Sequence, residues 1–162
     1  MTNLRVADQA ERLLAWVLVV LMGLMVIDVS WQVVSRFVFR APSSFTEELA
    51  GFLLIWIGLL GAAYGFRTRA HLGIDLLVTK LRGTQRRTAQ VLSHTLVALF
   101  ALSTMVIGGF RLVLLAFQLD QISAAMGVRV GFVYLALPLA GVLIVLFSIE
   151  SIAKVTNAES EQ

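Results

Sequence analysis

The sequence predicts an all-α integral membrane protein with four transmembrane helices, both termini cytoplasmic, and a short interfacial amphipathic helix between the second and third spans. Three observations carry this. Long apolar stretches are almost free of charge; the composition is 59% hydrophobic and 14% charged, with a mean hydropathy of +0.88; and Lys and Arg are shared very unevenly among the connecting segments. Soluble domains average about 25% charged residues. A chain of 162 residues built this way has room for one small membrane domain and little else.

A bilayer core of roughly 30 Å takes about 20 apolar residues as helix. After a polar lead over residues 1–12, the first span is expected over about residues 13–38, uninterrupted from Leu13 to Ile27 and then running through Asp28 towards Arg36. Arg5 and Arg12 ahead of an apolar run also suit a signal peptide. The continuation Asp28-Val29-Ser30-Trp31-Gln32 holds no small-x-small cleavage site, so a permanent span is the better reading.

The loop from Arg40 to Glu48 contains Pro42 and a helix-start signal, with Ser44 or Thr46 as candidate N-cap. Glu47 and Glu48 fall in the first turn, where carboxylates favour the positive end of the helix dipole. The second span is therefore expected over about residues 47–66. Beyond it, Ile74, Leu77, Val78 and Leu81 recur at i, i+3, i+4 and i+7. Asp75, Thr79 and Arg82 take the opposite face, which is the pattern of a helix lying in the membrane interface. The third span is expected over about residues 91–119 and the fourth over about 130–152, where the interior Pro138 predicts a kink or an opened backbone. Residues 157–162 read as a polar tail.

Orientation follows from the cations. Arg5, Arg12, Arg67, Arg69, Lys80, Arg82, Arg86, Arg87 and Lys154 fall on one side, against Arg36, Arg40 and Arg129 on the other. The positive-inside rule then makes both termini cytoplasmic. These cations are not gathered on one soluble face, so lipid is the expected partner and nucleic acid is not.

No residue pattern points to catalysis, and the chain is read as a non-enzyme. It has no cysteine, hence no thiol chemistry and no thiolate metal site. A haem held between helices needs facing imidazoles, whereas His71 belongs to the cytoplasmic connection and His94 to the first turn of the third span.

Ionisable residues at membrane depth are costly and are the default functional candidates. Asp28, Gln32 and Arg36 follow at i, i+4 and i+8 and form one polar stripe near the outer end of the first span. An ion-coupled site could use such a carboxylate. The plainer reading, preferred here, is that Asp28 pairs with Arg36 or Arg111 and glues a helix interface. Arg111 is read as snorkelling outward or pairing with Asp28 or Glu48. Gly58, Gly61, Ala62 and Gly65 line one side of the second span, as small residues do where backbones approach closely. Trp56, mid-span, suits a packing wedge better than an interfacial belt.

Three blocks of sequence, taken together, resemble one family. They are Ser35-Arg36-Phe37-Val38-Phe39 leading to Thr46-Glu47-Glu48-Leu49-Ala50; Trp56-Ile57-Gly58-Leu59-Leu60-Gly61-Ala62-Ala63 with Arg67-Thr68-Arg69-Ala70-His71-Leu72-Gly73-Ile74-Asp75; and Ser123-Ala124-Ala125-Met126-Gly127 with Val133-Tyr134-Leu135-Ala136-Leu137-Pro138. The chain is similar over about residues 10–150 to the small membrane subunit of tripartite ATP-independent periplasmic (TRAP) transporters. The resemblance implies a scaffold that packs against a large multi-span transport subunit and helps to dock a periplasmic substrate-binding protein. Import of an organic acid, of the C4-dicarboxylate or sialic-acid class, is then coupled to sodium held by the large subunit, with no cofactor in this one. It also implies an inner-membrane location, a pairing of Arg36 with Glu48, packing roles for Trp56 and Gly61, and a cytoplasmic role for His71 and Asp75, the latter capping or pairing with Arg67 or Arg69. Tyr134 and Pro138 match the family's last helix, while Phe45 and Arg129 depart from its usual outer-loop residues. The alternative is a stand-alone proton-coupled exporter acting as a homodimer through Asp28.

Overall fold

A computed structural model describes residues 2–68 and 84–157. Over these the chain is helical, with α1 (Thr2–Phe37), α2 (Ser44–Arg67), α3 (Thr84–Phe100), a π-helical segment (Ala101–Gly108), α4 (Gly109–Gln118), the short α5 (Gly131–Tyr134) and α6 (Ala136–Asn157). Four continuous stretches are long and apolar enough to cross a bilayer: Ala7–Phe37, Ser44–Arg67, Gln85–Gln118 and Gly131–Thr156. The expected interfacial helix, with His71 and Asp75, lies outside the described residues, as does the tail beyond Asn157.

The spans run up and down and stand in an open row. The first packs on the second, the second on the fourth, and the fourth on the third; the first also touches the fourth, while among the described residues the first and third spans do not meet. The fourth span is central, and a third of its most apolar window (33%) is buried against 11% in the first span. Ala7, Ala63, Ala101 and Ala140 sit at the crossings, with Leu14, Leu60, Ile144 and the fully buried Phe147 filling between them. Small residues are apt here because lipid tails are as apolar as leucine, so close van der Waals contact, more than exclusion from water, holds membrane helices together. The exposed Leu13, Trp16, Val20, Leu54, Leu96 and Phe100 leave much of the outer surface of the spans apolar.

Gly141 sets the tightest approach. A Cβ there would stand 2.7 Å from Met105 Cβ of the π-helical segment, too close for two carbons. The wider π turn thus lies directly against the fourth span where that span offers no side chain.

Pro138 opens the backbone of the fourth span, as expected, since it has no N–H to offer the Tyr134 carbonyl. The fourth span is interrupted at Leu135 and restarts at Ala136, which places Pro138 in the first turn of α6, where no backbone N–H is needed. At the other end of α2 the chain differs from expectation. The N-cap is Ser43 rather than Ser44 or Thr46, and the Thr46 hydroxyl donates instead to the Ser43 carbonyl, 3.0 Å away. Several hydroxyl residues in a row compete for that position.

The expected tight packing at Gly58 and Gly61 is absent among the described residues, since a Cβ on either would meet nothing within 4 Å. Trp56, in contrast, packs against the buried cluster.

Candidate functional site: polar clusters at the two ends of the row

The polar side chains gather at the two ends. At one end Arg67, the last residue of α2, bonds three carboxylates at once. Its Nη2 lies 2.8 Å from Asp8 Oδ1, its Nε 2.9 Å from Glu11 Oε2 and its Nη1 2.6 Å from Glu150 Oε2. Asp8 and Glu11 stand at i and i+3 on α1, hence on one face, and Glu150 comes from α6. Lys154, one turn beyond Glu150, approaches the other carboxylate oxygen at 2.7 Å. The guanidinium also lies over the Phe147 ring, 5.5 Å from its centroid. Arg67 and Glu150 are nearly buried, with side chains 10% and 5% exposed, so this cluster fastens three spans in a weakly screened setting. Arg87 reaches the Thr156 carbonyl nearby, so both described ends of the chain lie at this end of the row.

At the opposite end the connection between α4 and α5 is a compact hairpin. Asp120, with φ of 44°, closes α4 by donating its N–H to Phe117 O while Gln121 N–H reaches Ala116 O, the left-handed helix stop in which orphan carbonyls are satisfied. Ile122 and Arg129 form an antiparallel bridge, and Ser123 N–H donates to Val128 O at 2.9 Å. Gly127 takes φ of 67° at the tip, a conformation glycine adopts without strain. Into this hairpin points Glu48 from the first turn of α2. Its Oε2 accepts the backbone N–H groups of Ala125 at 2.8 Å and Met126 at 3.1 Å.

Glu48 is thereby committed to the hairpin, and its expected pairing with Arg36 does not form. Arg36 pairs with the neighbouring Glu47 instead, both side chains being more than half exposed. Adjacent residues on a helix point about 100° apart, so only one of the two carboxylates can face the end of α1. Arg129 pairs with Asp120 at 3.2 Å across the hairpin.

Asp28 is buried, and its carboxylate accepts the Gln32 amide N–H at 2.9 Å, while the same nitrogen donates to Thr46 O at 2.9 Å. The expected pairing of Asp28 with Arg36 or Arg111 is replaced by this Gln32 bridge between α1 and the start of α2. Arg111 stands exposed on α4, away from both Asp28 and Glu48. Tyr134 ends α5 and Gly61 lies partly covered on α2.

The sequence reading did not single out Asp8, Glu11, Glu150 or Ser123. The i, i+3 carboxylates of the polar lead and the lone Glu150 closing an otherwise uncharged span were the available signals. Among the described residues no group of three or more His, Asp or Glu is placed to hold a metal ion.

The sequence matches, over residues 25–157, the model of a family described as tripartite ATP-independent periplasmic transporters, DctQ component. Similar proteins include the C4-dicarboxylate TRAP transporter small permease protein DctQ of Rhodobacter capsulatus, 34% identical over 99 residues, which is 60% of this chain and 42% of that one. The sialic acid TRAP transporter small permease protein SiaQ of Vibrio cholerae is 26% identical over 132 residues, 82% of this chain and 75% of that one. The sialic acid TRAP transporter permease protein SiaT of Haemophilus influenzae is 34% identical over 73 residues, 43% of this chain but only 12% of that one. This chain therefore aligns with less than half the length of the Rhodobacter capsulatus protein.

Proposed function

This chain belongs to the DctQ component family, the small membrane subunits of tripartite ATP-independent periplasmic transporters, and on that premise we propose that it is the scaffold of a sodium-coupled organic-acid importer in a bacterial inner membrane. In this reading it carries neither substrate nor sodium. It braces a large multi-span subunit that does, and its Glu48 end helps to receive a periplasmic substrate-binding protein. The substrate class is a C4-dicarboxylate or a sialic acid, as the names of the Rhodobacter and Vibrio relatives suggest.

The observation that carries the scaffold reading is the open row. Four spans in a row leave much of their outer surface apolar, a shape suited to bracing a neighbour, whereas a transport route needs elements that surround it. The likeness to a short stretch of a much longer protein named as a TRAP transporter permease supports the same pairing. The uneven spread of Lys and Arg supports an orientation with the Arg67 end in the cytoplasm and the Glu48 end in the periplasm.

The Glu48 clamp suits a docking role. A hairpin held by a carboxylate, a bridge and a left-handed helix stop offers its outer surface without first having to be ordered, which lowers the cost of binding.

The test is to tag the chain, extract it gently from native membranes and identify by mass spectrometry what accompanies it. A near-equal amount of a large multi-span membrane protein is the expected result; a homodimer with no such companion would overturn the reading.

A further inference from the structure

Every carboxylate among the described residues is already engaged. Asp8, Glu11 and Glu150 hold Arg67, Glu47 holds Arg36 and Asp120 holds Arg129. Asp28 accepts from Gln32, and Glu48 accepts from the hairpin N–H groups. Arg111 takes no part in this, and among the described residues it makes no hydrogen bond, ion pair or ring contact.

Its position makes that costly. Arg111 lies seven residues before the end of α4 at Gln118, about 10 Å along the axis at 1.5 Å per residue. Between it and that end the same face shows Leu114 and Leu115, both exposed, before the exposed Gln118 closes the helix. Ile107, one turn before it, is exposed as well. The cation therefore has apolar neighbours on both sides, Ile107 one turn before it and Leu114 and Leu115 one turn after it, with Gln118 the next polar residue on the face. Snorkelling is the usual escape, but Cβ atoms lean towards a helix's N-terminus. The N-terminus of the third span is the far end, so this side chain starts out directed along the span and away from the nearer surface. A cation so placed calls for an anion brought to it at depth.

We propose that Arg111 and the face formed by Ile107, Leu114 and Leu115 are a contact surface for an apolar helix of the transport partner that carries a carboxylate opposite Arg111. This rests on the proposed function, which supplies a membrane-embedded partner, and adds the face and the charge that join the two. Paired in a lipid-poor interface, the two charges compensate each other, and the like-charge or uncharged partner is rejected.

The experiment uses the full-length chain in its native membrane. A photo-reactive benzophenone amino acid at Leu115, with Arg111 intact, is irradiated and the adducts identified; separately, partner recovery is measured for Arg111→Gln, Arg111→Glu and Arg111→Lys. The expected results are an adduct between Leu115 and the large subunit, partner recovery at least about tenfold lower for Arg111→Gln and Arg111→Glu, and partial recovery with Arg111→Lys. Because Arg111 holds nothing among the described residues, the variants should insert and purify at normal levels. Adducts with lipid alone, or unchanged recovery of the large subunit with Arg111→Glu, would overturn the inference and leave the proposed function standing. If the unsubstituted chain brings down no large subunit at all, the proposed function fails, and the inference with it.

Discussion

Arg67 and Glu150 stand 83 residues apart in the chain and 2.6 Å apart in space, joining the end of the second span to the end of the fourth. With Asp8 and Glu11 on the same guanidinium, one side chain ties three of the four spans.

Removing that side chain strands Glu150 among apolar neighbours with Lys154 as its only remaining cation among the described residues. Arg67→Ala is expected to lower stability by about 3 kcal/mol, the scale for breaking a buried pair. Arg67→Lys should recover only part of this, because an ammonium lacks the planar fork that reaches three carboxylates at once. Thermal unfolding of the purified chain in mild detergent checks both, and equal midpoints for Arg67→Ala and the unsubstituted chain would refute the knot.

At the opposite end the hairpin depends on Glu48. Glu48→Ala should leave the four spans intact and expose the Ala125 and Met126 amides, which hydrogen exchange would register as several-fold faster exchange at those two positions. Glu48→Gln should fall between, since its carbonyl oxygen still accepts but without charge.

Two glycines are expected to behave in opposite ways. Gly141→Ala places a methyl group against Met105 and should cost about 1 to 3 kcal/mol as overpacking. Gly58→Ala meets nothing among the described residues and should leave the chain's stability unchanged or slightly raised. A loss of partner recovery with Gly58→Ala, without loss of stability, would place that face against the large subunit.

The legible part of this molecule was the set of spans, because charge-free runs of bilayer length leave few alternatives. The polar stripe of Asp28, Gln32 and Arg36 was legible as a helical spacing, but not its partners. Spacing says that Asp28 and Gln32 share a face, yet it does not say that Gln32 rather than an arginine takes the carboxylate. Glu47 and Glu48 illustrate the same limit, as two adjacent carboxylates compete for one arginine and only the crossing of α1 and α2 decides between them. The Arg67 knot left only the i, i+3 spacing of Asp8 and Glu11 as a mark, since the partners of Arg67 come from two segments 56 to 83 residues away. Pro138 marks a kink or an opened backbone in the sequence, and the break at Leu135 is the second of these, with Pro138 in the first turn of the helix that restarts.

Asp28→Asn separates the scaffold from the stand-alone exporter. The Asn side chain can still accept from Gln32, so the bridge to Thr46 O persists and assembly should weaken only slightly, whereas an exporter that cycles a proton on Asp28 would lose activity altogether. Uptake by the assembled transporter carrying Asp28→Asn should stay within a few-fold of normal.

The central claim is that this chain supports transport without conducting it, and reconstitution tests it most directly. Sodium-driven uptake of the organic acid is measured in proteoliposomes holding the large subunit and binding protein with this chain, the same without it, and this chain alone. The account requires uptake only when the chain and the large subunit are present together, and none from the chain alone. Transport by the chain alone, abolished by Asp28→Asn, would contradict it and make the first span a conducting element.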